Sequence, residues 1–214
     1  STGEWQRITV DVGLSSISIF GSLMAIFLGI SLVSKEIEKK TIYTLLAKPV
    51  SRTVFLLGKY LGLMSTILVN LSIMMLVYFG VIKILGLEFN WAQAQAIILI
   101  FFKLLIVVAI ALFFSSFTTV SLSAIFTLSL FVLGHLTDEG KAFGAQSKKV
   151  IYKYITTLLY DVFTKLSKYS WLDSATYGIA MPPGDFLIRL LIALVTTGVF
   201  LGLSSIILER RDFV

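Results

Sequence analysis

The chain has 214 residues, of which 57% are hydrophobic and 14% charged, with a net charge of +6 and a mean hydropathy of +0.94. A soluble domain has about 45–50% apolar and about 25% charged residues, so this composition excludes an ordinary soluble protein. The lack of cysteine excludes disulfide bonds, thiolate catalysis and cysteine-ligated metal sites, and a net positive charge without a soluble basic domain favours membrane lipid over nucleic acid as a partner.

Long segments of the chain carry almost no charge. Leu14–Val33, Tyr60–Ile82 and Leu190–Leu208 contain no charged residue, and residues 89–137 contain only Lys103. A bilayer core about 30 Å thick needs about 20 helical residues, so each of the first three segments fits one span and the last stretch fits two. The sequence therefore predicts an all-α protein, a polytopic transmembrane helix bundle with five spans.

The spans are predicted, in chain order, at about 14–33, 60–82, 93–114, 119–136 and 190–208. The short polar start STGEWQR has no initiator Met and no span of its own, so we expect the chain to begin partway through a longer protein. Ser115–Thr119 (SSFTT) is predicted to form the turn between the third and fourth spans, because its hydroxyls can satisfy freed backbone groups near a membrane face.

Residues 137–184 form the longest stretch between two spans. From Val150 to Leu166, apolar residues recur in pairs every four positions, with Lys, Thr and Asp on the other side. This pattern predicts an amphipathic helix at 149–169 that lies in the membrane interface, although a helix packed on a folded external domain would show the same pattern. Met181–Asp185 (MPPGD) is predicted to break this helix and to start the last span.

Charged residues are concentrated between the first two spans, in the segment 34–58. Glu36 and Lys40 are spaced to stabilise a helix by about 0.2–0.5 kcal/mol. Pro49 is expected to end this helix, and Ser51 to cap the helix of the second span. The segment would then consist of a short helix, a rigid break and a helix that re-enters the membrane. Such an arrangement could transmit a movement of a soluble partner to the spans. An ordinary positively charged loop that contacts nothing is the alternative.

Three stretches resemble a known family. Ser34–Gly62 (SKEIEKKTIYTLLAKPVSRTVFLLGKYLG) resembles the signature of type 2 ABC-exporter permeases, in which an acidic and basic helix, Pro-Val-Ser-Arg and Leu-Gly-Lys follow the second span. Ala111–Leu136 and Glu209–Phe213 are similar to the branch that includes the nitrous-oxide-reductase maturation permeases. The chain departs from the family pattern at Lys40, where Gly is usual, and after SSF, where Pro is frequent.

The resemblance implies that residues 1–214 form a single transmembrane permease domain of six spans, the first of which is absent here. It further implies a prokaryotic cell membrane, a cytoplasmic C-terminus, an extracytoplasmic segment 137–184, and a homodimer. The segment 34–58 would then be the cytoplasmic coupling segment that docks on an ABC ATPase subunit. The coupling residues implied are Glu36, Glu38, Lys39, Thr41, Pro49, Ser51 and Arg52.

The sequence contains no phosphate-binding loop. Neither Gly58-Lys59 nor Gly140-Lys141 is followed by the Ser or Thr that this loop requires. We therefore expect that the chain has no catalytic residue, no metal site and no bound cofactor, and that ATP and magnesium bind the partner ATPase.

Three polar residues lie in or near the predicted spans. Lys103 is near the middle of the third span, where a lysine costs about 2.5–3.5 kcal/mol and is a candidate functional residue. The interpretation we favour is that the span is shifted and the ammonium group snorkels to the interface. Asn70 is expected to form a hydrogen bond between helices. His135, the only histidine, is expected to be structural, because one histidine cannot form a metal site.

Small residues recur every four positions in several spans, a spacing that lets helices approach closely. The pattern leaves open whether these contacts form within one chain or across a dimer. The small-residue ridges are Gly21, Ala25 and Gly29 in the first span, Gly58 and Gly62 before and within the second, and Gly198 and Gly202 in the last.

The sequence as a whole favours the membrane subunit of an ABC transporter, with an exporter as the expected direction. One alternative is an intramembrane enzyme or proton-conducting subunit that uses Lys103 and His135, but the predicted spans contain no Asp or Glu. Another is a non-transporting membrane scaffold whose working surface is the basic amphipathic helix. An ATPase encoded beside this chain would favour the transporter over both.

Overall fold

The computed structural model describes residues 2–38, 51–135 and 175–210. This part of the chain contains five helices and no strand, which confirms the predicted all-α bundle. The helices are α1 (Thr2–Glu38), α2 (Arg52–Ile84), α3 (Trp91–Phe117), α4 (Val120–His135) and α5 (Pro183–Arg210).

Four of the five helices, α1, α2, α3 and α5, are long and apolar enough to cross a membrane. The fourth predicted span corresponds to α4, whose 16 described residues extend about 24 Å at about 1.5 Å per residue. This is shorter than the length of about 20 residues that a full crossing needs. The described part of the chain therefore has four long candidate spans and one shorter apolar helix.

The first helix begins earlier than predicted. The sequence predicts a polar start before a span at residue 14, whereas α1 is helical from Thr2. Val10, Leu14 and Ile17 are all buried, so the apolar side of the span continues into the preceding turns. Hydropathy misses this extension because the same turns carry exposed charged residues.

Helix α3 is the centre of the bundle and packs against each of the other four helices. It is apolar on nearly every side, as expected for a helix that is enclosed by others. Around it, α1 contacts both α4 and α2, and α2 contacts both α1 and α5. We call the end where α1 and α3 begin and α2 terminates the upper end, and the end where α2 begins and α5 terminates the lower end.

The turn between α3 and α4 is shorter than the predicted Ser115–Thr119, because α3 stays helical to Phe117, but hydroxyl groups stabilise it as predicted. The backbone N–H of Thr118 donates to the carbonyl oxygen of Phe114 over 3.0 Å, and its side-chain hydroxyl donates to the same oxygen over 2.8 Å. The Thr118 Oγ1 atom also lies 2.7 Å from Ser123 Oγ, in the first turn of α4. These bonds satisfy backbone groups that the end of α3 would otherwise leave unpaired.

The start of α5 is held against α3 by a side-chain amide. Gln95 Nε2 donates to the Met181 carbonyl oxygen over 3.1 Å, and the Met181 N–H donates to Gln95 Oε1 over 2.8 Å. Both residues are buried. Helix α5 then begins at Pro183, a residue type favoured in a first helical turn, which confirms the predicted start of the last span.

Candidate functional site

The lower end of the bundle brings the start of α2, which follows the charged segment, against the end of α5. Helix α1 is described as far as Glu38, and α2 begins at Arg52. Thr53 Oγ1 donates to Glu209 Oε1 over 3.0 Å and lies 2.8 Å from Ser205 Oγ. Because a threonine hydroxyl has one proton, Ser205 is then the donor to Thr53. These side chains connect the first turn of α2 to the last turns of α5.

Ser51 caps α2, as predicted. Its backbone is extended, with φ −66° and ψ 146°, and its Oγ atom accepts a hydrogen bond from the Val54 N–H over 3.3 Å. The helix begins at Arg52, directly after the cap. The cap fixes the point at which the chain re-enters the bundle after the charged segment.

Most of the predicted coupling segment lies outside the described residues. The backbones of Glu36 and Glu38 are helical, so α1 extends into the segment, and the backbone of Arg52 starts α2. Their side chains, together with Lys39, Thr41 and Pro49, lie outside the described part of the chain, as do the predicted amphipathic helix 149–169 and the His135 side chain. The coupling role of these residues stays a prediction.

Lys103 is enclosed in the bundle. Its side chain is 1% exposed, and its Nζ atom donates a hydrogen bond to Ser18 Oγ of α1 over 3.0 Å. The same ammonium lies 5.4 Å from the centre of the Phe131 ring of α4, within the range of a cation–π interaction. The expectation that Lys103 snorkels to the interface was therefore wrong. Helices α1 and α4 supply a hydroxyl and an aromatic face to the ammonium group inside the bundle.

Within the described part of the chain, Asn70 forms a hydrogen bond in its own helix instead of the predicted one between helices. Its Nδ2 atom donates to the Thr66 carbonyl oxygen of the same helix over 2.9 Å. A backbone carbonyl four residues earlier is always within reach of such a side chain, so the amide can be satisfied without a neighbouring helix.

The small-residue ridge of α1 packs within the chain. A Cβ atom added at Gly21 would lie 3.0 Å from Leu104 of α3, and one added at Gly29 would lie 2.7 Å from Cβ of Ala111. Ala25, between them, is fully buried. The other two ridges face outward. Among the described residues, an added Cβ would have no neighbour within 4 Å at Gly58, Gly62, Gly198 or Gly202.

The Thr53, Ser205 and Glu209 group was missed from the sequence. These residues are separated by 152 and 156 positions, and no local pattern connects them. The sequence does mark the ends of the apolar segments, because polar residues lie there. It does not indicate which of these ends are neighbours in the folded bundle.

A family model described as ABC-2 family transporter protein matches residues 5–213. The chain belongs to the ABC-2 transporter family. No curated protein matches the chain. Family membership makes this ABC-2 permease a multi-pass membrane protein and the membrane subunit of an ABC transporter, and it implies pairing with an ABC ATPase subunit. The narrower similarity to nitrous-oxide-reductase maturation permeases is not confirmed by this match.

Proposed function

We propose that this ABC-2 permease is the membrane subunit of an ATP-driven exporter in a prokaryotic cell membrane, working as a homodimer with two ATPase subunits. In this proposal the lower end of the bundle and the C-terminus are cytoplasmic, and the segment 137–184 is outside. ATP and magnesium bind the ATPase pair, and the present chain contributes no catalytic residue and no cofactor. When the two ATPase subunits close, they displace the coupling segment 34–58. This displacement moves the helices that are joined to the segment.

The contact of Thr53 with Ser205 and Glu209 is the observation that carries the proposal. The coupling segment is continuous with α1 on one side and α2 on the other. Thr53 adds a third helix, because its hydroxyl contacts two residues of α5. Both α1 and α5 pack against the central α3. A displacement of the segment would therefore reach the whole bundle through contacts at its lower end.

The outward-facing small-residue ridges support the proposal that a second permease copy packs against this one. Gly58 and Gly62 lie on α2, and Gly198 and Gly202 lie on α5, and the described part of the chain has no atom within 4 Å of a Cβ at any of them. Surfaces of this kind let helices of two chains approach closely in a membrane.

The transmission step is tested with Thr53→Val, which removes the hydroxyl and keeps the side-chain shape. The permease and the ATPase that co-purifies with it are reconstituted in nanodiscs, and ATP hydrolysis is measured. We expect Thr53→Val to retain the ATPase but to lower the hydrolysis rate about fivefold, the effect of about 1 kcal/mol of lost coupling.

Thr66→Val is the matched control for this experiment. Thr66 lies on the same helix, and its hydroxyl donates only within α2, to the Gly62 carbonyl oxygen over 3.0 Å. The control should hydrolyse ATP at the wild-type rate. Equal rates for Thr53→Val and wild type would contradict transmission through α5.

A further inference from the structure

A cavity of about 500 Å³ opens at the upper end of the bundle, away from the coupling segment. It lies between the first turns of α1, the turn that joins α2 to α3, and residues 175–178 before α5. Its volume is within the range of about 300–1,000 Å³ that is usual for small-molecule sites. The polar side chains that line it are Gln6, Arg7, Glu88, Asn90, Gln93, Thr176 and Tyr177.

Gln93 has an unsatisfied oxygen in the wall of this cavity. The residue is 5% exposed, and its Oε1 atom has no hydrogen-bond partner in the described part of the chain. Gln95, two positions later, has its amide oxygen and nitrogen both satisfied by Met181. A buried carbonyl oxygen without a donor is unfavourable, and such exceptions in a folded protein call for an explanation. The oxygen itself is buried, so an N–H donor brought by a ligand would satisfy Gln93 once its amide turns toward the cavity.

Arg7 and Glu88 place one positive and one negative group on the same cavity. The guanidinium carbon of Arg7 lies 5.0 Å from the centre of the Tyr177 ring, so the aromatic face helps to orient the cation. A guanidinium in a fixed orientation binds phosphate or carboxylate well because its N–H groups form a planar fork. A ligand that carries both an anionic and a cationic group matches this lining.

The cavity lies at the depth of the lipid headgroups. Candidate spans begin at Glu4 and Trp91 and end at Ile84, all at this end of the bundle. Trp5 and Trp91 are 72% and 66% exposed. Tryptophan residues on the outside of a membrane protein are concentrated at the boundary between hydrocarbon and water. The headgroups of the surrounding lipids are therefore at the level of the cavity mouth.

We propose that this cavity binds a zwitterionic group with a phosphate and a primary amine, the chemistry of an aminophospholipid headgroup. Arg7 binds the phosphate, and the ammonium donates to Gln93 Oε1 and is attracted by Glu88. A choline headgroup has the same charges but no N–H, so it cannot satisfy Gln93. The site is separate from the coupling segment, and its binding is measured on the permease alone, without the ATPase.

The test compares phosphatidylethanolamine with phosphatidylcholine. The full chain is purified in detergent, each lipid is titrated in mixed micelles, and bound lipid is counted by native mass spectrometry. We expect the wild type to prefer phosphatidylethanolamine by about tenfold, as the gain of a charge-assisted hydrogen bond predicts. Gln93→Leu should lose this preference. Arg7→Gln should weaken both lipids, because both carry the phosphate.

Lys83→Gln is the matched control, since Lys83 is an exposed cation near the end of α2 that does not line the cavity. It should bind both lipids as the wild type does. Equal binding of the two lipids by the wild type would overturn the proposal, as would a Gln93→Leu variant that keeps the preference. Arg7 is exposed, so Arg7→Gln keeps the test available if Gln93→Leu does not fold.

Competition with soluble phosphoethanolamine identifies the source of the ligand. Displacement of the lipid by the soluble compound would show that the cavity recognises the zwitterion itself, so a free zwitterion is also a ligand. A lipid preference that the soluble compound cannot displace would show that the lipid is the ligand. Displacement by phosphocholine with equal efficiency would contradict recognition of the amine.

Discussion

Lys103 of α3 and Ser18 of α1 form a hydrogen bond inside the bundle, with 3.0 Å between Nζ and Oγ. Both side chains are buried, and the Phe131 ring of α4 faces the same ammonium. A lysine in this environment is costly, and the hydroxyl and the ring offset part of that cost. The contact therefore joins three helices through a polar group in an otherwise apolar core.

Replacing Ser18 with Ala should destabilise the bundle by about 1–3 kcal/mol, because the buried ammonium loses an acceptor. In a Lys103→Met background the same change should have almost no effect, since the group that needs the hydroxyl is gone. The measurement is the unfolding free energy in detergent for the four variants of the cycle.

Ser22→Ala is the control, because the Ser22 hydroxyl donates only to the Ser18 carbonyl oxygen of its own helix, over 2.6 Å. Its cost should be the same with Lys103 or Met at position 103. A Ser18→Ala cost that persists unchanged in the Lys103→Met background would show that the hydrogen bond is not what the hydroxyl contributes.

Gly29→Ala should destabilise the protein by about 1–3 kcal/mol, the usual cost of overpacking a well-filled core. The new Cβ would lie 2.7 Å from Cβ of Ala111, which is itself fixed to the α3 backbone. Gly80→Ala is the matched control, since its Cβ would lie within 4 Å of no atom in the described part of the chain. Thermal unfolding of the two variants in detergent checks this. Equal midpoints would contradict the close packing of α1 on α3.

Ser51→Ala should destabilise the start of α2 by about 1 kcal/mol, through the loss of the cap on Val54. Ser51→Asp should restore stability, because Asp is an equally good capping residue and its charge suits a helix N-terminus. Unfolding free energies of the three proteins distinguish the outcomes. A destabilised Ser51→Asp variant would mean that Ser51 acts through something other than capping.

Gln95→Leu and Gln93→Leu should differ strongly, although the two residues are neighbours on α3. The first breaks both buried hydrogen bonds to Met181 and should cost about 2–4 kcal/mol. The second removes an oxygen without a partner in the described chain and should be close to neutral. Chemical denaturation of both variants in detergent checks the difference. Similar losses of stability would contradict the conclusion that the Gln95 amide is hydrogen-bonded and the Gln93 oxygen is not.

The positions of the long helices could be predicted because their cause is local. An uncharged run of about 20 residues has to be helical to satisfy its backbone in a bilayer, whatever its neighbours are. The capping role of Ser51 and the start of α5 at Pro183 were predictable for the same reason, since each depends on only a few consecutive residues.

The remaining features depend on which surfaces meet, and the sequence does not encode this locally. Gly29 and Gly202 belong to similar ridges, yet only the first is enclosed, because α1 packs on α3. Lys103 could have reached the interface if α1 and α4 did not cover it. Asn70 had a partner in its own helix, which the pattern of spans could not distinguish from one in a neighbour.

Docking of an ATPase on the charged segment is the central claim, and co-purification tests it most directly. The full-length protein is isolated in detergent as wild type, as a Glu36→Ala, Arg52→Ala double variant, and as a Lys83→Ala, Asp185→Ala control. The control removes the same two kinds of charge at the upper end of the bundle. We predict that an ATPase co-purifies with the wild type and the control and is lost from the Glu36→Ala, Arg52→Ala variant. A variant that retains the ATPase at the wild-type level, or a wild type that recovers none, would contradict the account.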